Sequence, residues 1–229
     1  MVFIKRFFLL ALVLVPVLLT AQDMTVEQSY LQQSIEHMII REMSRAEGRE
    51  AKAVALEYIG TAIERGNLSN EVRASLEYLG MEGVIYITRE NGRIVNNFPD
   101  IRRSAARYLG EFNTVEAKDA LIVMVNQEEE PMVIMEAINS LARIGIDEGG
   151  RTIETITWVV DRVNRNNPND LLAISAIEAF ERFAEINGFV DRAAIATIRN
   201  ISVGAGFTRR TRERAQEALD ILIRLPPPN

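Results

Sequence analysis

The chain has 229 residues, 26 Lys and Arg against 32 Asp and Glu for a net charge of −6, one histidine and no cysteine. Without cysteine there is no disulfide scaffold, no thiolate metal site and no lipidation at a leader cleavage site, and a single histidine leaves no zinc set of the usual kinds. The acidic balance argues against nucleic acid as a partner and against adhesion to anionic lipid.

The chain begins MVFIKRFFLLALVLVPVLLTAQD. Lys5 and Arg6 form a positive start, Phe7 to Leu19 an apolar run broken by Pro16, and Ala21 a small residue for cleavage before Gln22. That is the pattern of a secretory signal peptide over 1–21, with the cut movable by a residue or two because Leu19 is bulky for its place. The other reading, an uncleaved anchor, asks for about 20 apolar residues. Cleavage would remove Lys5 and Arg6 and take the net charge from −6 to −8. The expected organisation is a signal peptide over 1–21, a helical domain over 22–224 and a loose Pro-rich tail over 225–229.

Two helices open the domain, over about 25–46 with Ile35, Met38, Ile39 and Met43 predicted inward, and over 49–65. EVRASLEYLG, 71–80, echoes DIRRSAARYLG, 100–110. Between them VIYITRENGRIVNN, 84–97, admits two readings. Asn91-Gly92 is a hairpin-turn signal. Against a hairpin, Met81, Val84, Ile85 and Thr88 fall at helical spacing, and Val84 to Ile87 are consecutive, which spoils strand alternation. The interval from Gly80 to Pro99 also resembles that from Gly110 to Pro131. The prediction is a short helix ended by Asn91-Gly92, filling an ordinary helix slot, with the loop 89–97 a candidate contact site.

From Pro99 a four-position stripe recurs: Ile101, Ala105, Leu109, Phe112; Val133, Ala137, Leu141, Ile144; Leu172, Ala176, Phe180, Phe183; Thr211, Ala215, Leu219, Leu222. The second position is alanine each time, as one recurring close contact between helices requires. Other helices lie between, over 114–125 (Thr114 as N-cap), 151–163 (Ile153, Ile156, Val160, Val163) and 191–201 (Asp191 as N-cap). The unit is helix, turn, helix, at a period of roughly 30–40 residues.

Residues 70–224 resemble HEAT repeats, close to the phycobilisome-lyase-type subclass, through Asp100-Ile101-Arg102, Ala105-Ala106, Leu109-Gly110, Val115-Glu116-Ala117 and Leu121. Ile134 and Met135 stand near the place of the motif's arginine in the next repeat, so an Asp–Arg ladder would be incomplete. The resemblance implies an all-α, armadillo-like solenoid of about five antiparallel helix pairs, curved, binding proteins, with second helices on the concave face. On that face the aligned outward positions are Arg107, Asn139, Glu178 and Glu217, and one turn later Glu111, Arg143, Arg182 and Ile221. Arg107, Asn139, Arg143, Glu178 and Arg182 are the candidate partner-binding residues; the alternative is salt bridging between repeats.

Other features carry less. His37 lies among apolar residues on the first helix, without a companion for a triad or a metal site. Glu128-Glu129-Glu130 lacks calcium-loop spacing and reads as a solvated turn at a helix start. Arg209, Arg210, Arg212 and Arg214 read as a solvated face with Arg209 paired to Glu213, against an acidic partner or phosphate. Trp158 and Met124 are predicted in the core. The expected function is a non-catalytic protein-interaction scaffold, exported to the periplasm or cell envelope, with no cofactor, no nucleic acid and no membrane span after cleavage. Alternatives are a chromophore-lyase-like or other enzyme on the same repeats, and a purely structural envelope protein.

Overall fold

The computed structural model describes residues 26–226, so the predicted signal peptide 1–21 and residues 227–229 of the predicted tail lie outside the described residues. Among the described residues there are ten α-helices: α1 (Val26–Arg45), α2 (Arg49–Glu64), α3 (Asn70–Met81), α4 (Pro99–Leu109), α5 (Val115–Gln127), α6 (Pro131–Ile144), α7 (Arg151–Asn166), α8 (Asp170–Asn187), α9 (Arg192–Val203) and α10 (Arg209–Leu222). A two-stranded sheet, β1 (Arg89–Glu90) and β2 (Arg93–Ile94), lies between α3 and α4.

The chain divides into two units, 1–38 and 39–229. In the first, the described residues are the opening turns of α1, where Tyr30, Leu31, Ile35 and Met38 are exposed. The prediction that Ile35 and Met38 face inward is therefore corrected. In the second unit the end of α1 buries Ile40 and Ser44 instead. Met43 packs against the core as predicted, and the Ser44 carbonyl accepts from the Lys52 ammonium of α2 at 3.2 Å.

The second unit is built in two layers. Helices α2, α4, α6, α8 and α10 pack in succession, and α3, α5, α7 and α9 pack in succession beside them. The chain alternates between the layers at every step, which is the arrangement of an α solenoid. All sixteen stripe residues of α4, α6, α8 and α10 and of the turns that follow them are buried. Ala105, Ala137, Ala176 and Ala215 are fully so, where a small side chain permits close helix approach. Thr211, the one polar member, is satisfied by the Thr208 hydroxyl at 3.1 Å.

Local sequence explains the helix ends. Ser69, Thr114, Asn169, Asp191 and Thr208 each accept a hydrogen bond from a backbone N–H in the first turn that follows, satisfying one of the donors a helix start leaves free. Proline opens α4 and α6, where its missing N–H costs nothing. Gly145 and Gly188 end α6 and α8 in the left-handed conformation. At the far end Leu225 packs on the core and the Pro226 carbonyl accepts from Val190 N–H at 3.3 Å.

The layer assignment corrects the reading of 71–97. Helix α3 echoes α4 in sequence but packs with α5 in the other layer. The stretch after it is not a helix slot. It is an insertion in the link that carries the chain from α3 to α4, residues 82–98, where the equivalent links are 128–130, 167–169 and 204–208. The predicted short helix is a β-hairpin: Asn91 (φ 50) and Gly92 (φ 81) both take positive φ, the signature of a two-residue type I′ turn, with Glu90 paired to Arg93 and Arg89 to Ile94. Helical spacing lost because Gly83, at φ 79, stops α3 before Val84 can continue it. The Asn96 backbone then lies against Gly83, where a Cβ would come within 2.8 Å of the Asn97 Cα, so only glycine fits.

Candidate functional site

Burial of the stripes turns the predicted contact residues outward. Arg107, Asn139, Glu178 and Glu217, and one turn on Glu111, Arg143, Arg182 and Ile221, are all exposed on successive helices of one layer. The structure joins some of them. Arg143 donates to Glu111 Oε1 at 2.8 Å and to the Arg107 carbonyl at 3.2 Å, lying over Gly110, where a Cβ would meet it. The Arg107 guanidinium sits 4.9 Å from the Tyr108 ring centre. Arg182 pairs within its own helix with Glu185 at 3.2 Å. Further bridges cross from repeat to repeat: Arg49–Asp100 at 2.5 Å, Arg103–Glu136 at 3.4 Å, and Arg214 gripping both oxygens of Glu181. The solvent-exposed pairs among these are screened and contribute little to stability.

A second set of charges is buried along the links. The Lys52 ammonium meets Glu82 Oε2 at 2.8 Å, and its remaining donors reach the Ser44 and Ala46 carbonyls at the end of α1. Arg102 is held at both ends: it meets Glu128 with two N–H donors at 2.6 and 3.1 Å, and reaches the Glu82 carbonyl at 3.2 Å and Asn97 Oδ1 at 2.8 Å. Glu128 Oε1 also accepts the N–H groups of Glu129 and Glu130, both at 3.0 Å, just ahead of α6. Arg162, from α7, donates to the Asn126 and Glu128 carbonyls at 3.0 and 2.8 Å. The links 82–98 and 128–130 are thus tied by cations from neighbouring helices, with Lys52 and Arg102 each paired to a buried carboxylate, as burial demands.

The hairpin rests on this set. Asn96, buried, accepts from Thr88 N–H at 2.8 Å and donates to the Tyr86 carbonyl at 2.6 Å. The Tyr86 ring stacks on Tyr78 with centres 5.3 Å apart. Beneath the hairpin a half-open cavity of about 340 Å³ is lined by Arg45, Glu47, Tyr78, Glu82, Glu90 and Asn96 among others. Burial, then the Glu82 charge, raises the Tyr78 hydroxyl above its ordinary pKa, so it is a neutral donor there.

Glu128 is not solvated; it is the buried partner of Arg102, while Glu129 and Glu130 remain exposed. Nothing in a run of three acids distinguishes the member that turns inward, but a lone arginine in the buried half of α4 was a signal that an acid must meet it. Trp158 is not core: it is 51% exposed, with Arg162 stacked 4.7 Å from its ring, because Ile156, Val159 and Val160 fill the inward side of α7. Met124 is buried, against Gly80. Arg209 pairs with Glu213 at 2.7 Å, and Arg212 donates to the Phe207 carbonyl. Among the described residues no group of three or more His, Asp and Glu could hold a metal ion, and no helix is long and apolar enough to cross a membrane.

Residues 93–181, from β2 into α8, match the HEAT repeats family. Neither the curated proteins nor the solved structures compared with the chain gave a match. The same alternation of layers continues on both sides of the matched span, through α2 and α3 before it and α9 and α10 after it. Residues 93–181 are thus similar to HEAT repeats, within a run of helices that keeps one two-layer alternation.

Proposed function

We propose that the chain is a non-catalytic protein-interaction scaffold of the bacterial cell envelope, holding a partner on the face formed by α4, α6, α8 and α10, the concave face of a curved array. The observation that carries this reading is register. The same two helix positions are exposed in each repeat, so Arg107, Asn139, Arg143, Glu178 and Arg182 all stand exposed on three successive helices of one layer. HEAT repeats generally serve as protein-interaction scaffolds, and the weak surface bridges leave these side chains able to exchange partners. Export rests on the leader-like pattern of residues 1–21.

Crosslinking and pull-down from native envelope tests it. The wild type is expected to retain a stoichiometric partner, and Arg143→Glu with Arg182→Glu to lose it at unchanged helicity by circular dichroism. Retention by the double variant would refute the assignment of the face. The phycobilisome-lyase-like alternative makes a separate forecast, a bound bilin absorbing in the visible; a colourless preparation that binds no added bilin counts against it.

A further inference from the structure

We propose that the hairpin link is a strand-addition site, the outer edge of its first arm at Ile87 and Arg89 receiving an extended segment of another protein in which apolar and acidic side chains alternate. This deepens the scaffold reading and rests on it. Residues 82–98 are the long link among equivalents of a few residues, and insertions in repeat arrays map to one face and carry binding. The insertion is also firmly held. Asn96 ties both its arms, Arg102 grips the Glu82 carbonyl and Asn97, Lys52 pairs with Glu82, and the Asn96 backbone closes on Gly83. A site fixed in this way binds without an ordering cost.

The edge is open. Thr88 turns both backbone groups toward the second arm, its carbonyl accepting from Val95 N–H at 3.1 Å and its N–H donating to Asn96 Oδ1. The alternation of an antiparallel ladder then points the N–H and C=O of Ile87 and Arg89 away from β2, the row of groups by which an edge strand adds a neighbour. The same stretch exposes Ile85, Ile87, Ile94 and Val95, and Ile94, paired with Arg89, shares a face with Ile87.

Area and charge select the occupant. Four half-exposed side chains fall well short of the roughly 800 Å² per partner that a stable dimer needs, but they suit a strand of a few residues whose main chain supplies the bonding. Arg89 and Arg93 are exposed beside the patch with Glu90 the one acid of the turn, in a chain of net charge −6. An acidic segment complements this local excess.

The test uses the full chain and labelled peptides of about ten residues, a strand's length: alternating Val and Glu, the same composition in block order, and alternating Val and Lys. Fluorescence anisotropy is expected to show saturable binding of the first, at least tenfold tighter than either control. Amide shifts by NMR are expected at Ile87 and Arg89. Ile87→Lys with Arg89→Glu is expected to lose tenfold or more, while Arg143→Glu with Arg182→Glu leaves the peptide affinity unchanged. The proposal is overturned if the alternating Val-Glu peptide does not saturate, or if the hairpin variant binds it as the wild type does. It is equally overturned if sedimentation shows a hairpin-dependent dimer, which would place a second copy on the patch. Any of these leaves the second-helix face to be judged by its own pull-down.

Discussion

Removing Glu128 gives the sharpest test of how the array is held. Its carboxylate is buried, meets Arg102 through two charge-assisted hydrogen bonds at 2.6 and 3.1 Å, and accepts two backbone N–H groups before α6. Glu128→Ala leaves the Arg102 guanidinium buried with only Asn97 Oδ1 and the Glu82 carbonyl as acceptors. Truncating one partner of a buried pair costs about 3–5 kcal/mol, against 0.2–1 kcal/mol for an exposed pair. At about 2–4 °C per kcal/mol for a domain of this size, Tm falls by roughly 10 °C. Replacing both partners, as Arg102→Met with Glu128→Leu, removes the uncompensated charge and is expected to cost less than Glu128→Ala alone. Urea unfolding followed at 222 nm supplies the free energies, and the four corners of the cycle give the coupling. A loss below about 1 kcal/mol for Glu128→Ala, or a double variant weaker than the sum of the singles, would refute the reasoning that this pair acts as a buried one.

Gly83→Ala is forced against the Asn96–Asn97 backbone at φ 79 and should cost about 1–3 kcal/mol, with hydrogen exchange rising first over 82–98. Ala137→Leu overfills the contact between α6 and its neighbours, where Ala137 is fully buried; a loss of about 1–3 kcal/mol in urea unfolding is expected, and none at exposed Asn139→Leu. Hydrogen bonds from Thr211, then from the backbone and hydroxyl of Thr208, hold the Asp170 carboxyl below its ordinary pKa. A depressed carboxylate contributes stability above its unfolded pKa, near 3.9, and loses it as pH falls through the lower folded value. The Tm deficit of Asp170→Ala should therefore be full at pH 6 and shrink toward pH 3. Burial raises Asp161, the opposite sign, so Asp161→Asn should raise Tm at pH 7 and lose that advantage in acid.

The repeat was legible in the sequence because it obeys one contact written four times. Alanine at positions 105, 137, 176 and 215 can recur only if the same neighbour approaches each time, and all four are fully buried. Caps at Thr114 and Asp191 were equally readable, since a short polar side chain before an apolar periodic run has few other uses. What failed was the register of α3. Its Leu79-Gly80 ending resembles the Leu109-Gly110 ending of α4 because both glycines admit a side chain from the next helix of their own layer, Met124 at Gly80, and Ser140 with Arg143 at Gly110. The motif reports close approach and not which layer makes it. Assigned to the other layer, α3 makes the interval to Pro99 resemble a helix slot and hides the Asn91-Gly92 turn signal. The polar ladder was placed correctly on an exposed face, since outward positions follow from inward ones. The buried pair of Arg102 and Glu128 was not found, because partners 26 residues apart meet only through tertiary packing.

The scaffold assignment is tested most directly by a photo-crosslinking residue placed at Asn139, on the face of the second helices, and separately at Glu154, exposed on α7 in the other layer. In cells, a discrete crosslinked partner is expected from position 139 and none from 154. A partner captured from 154 alone would contradict it.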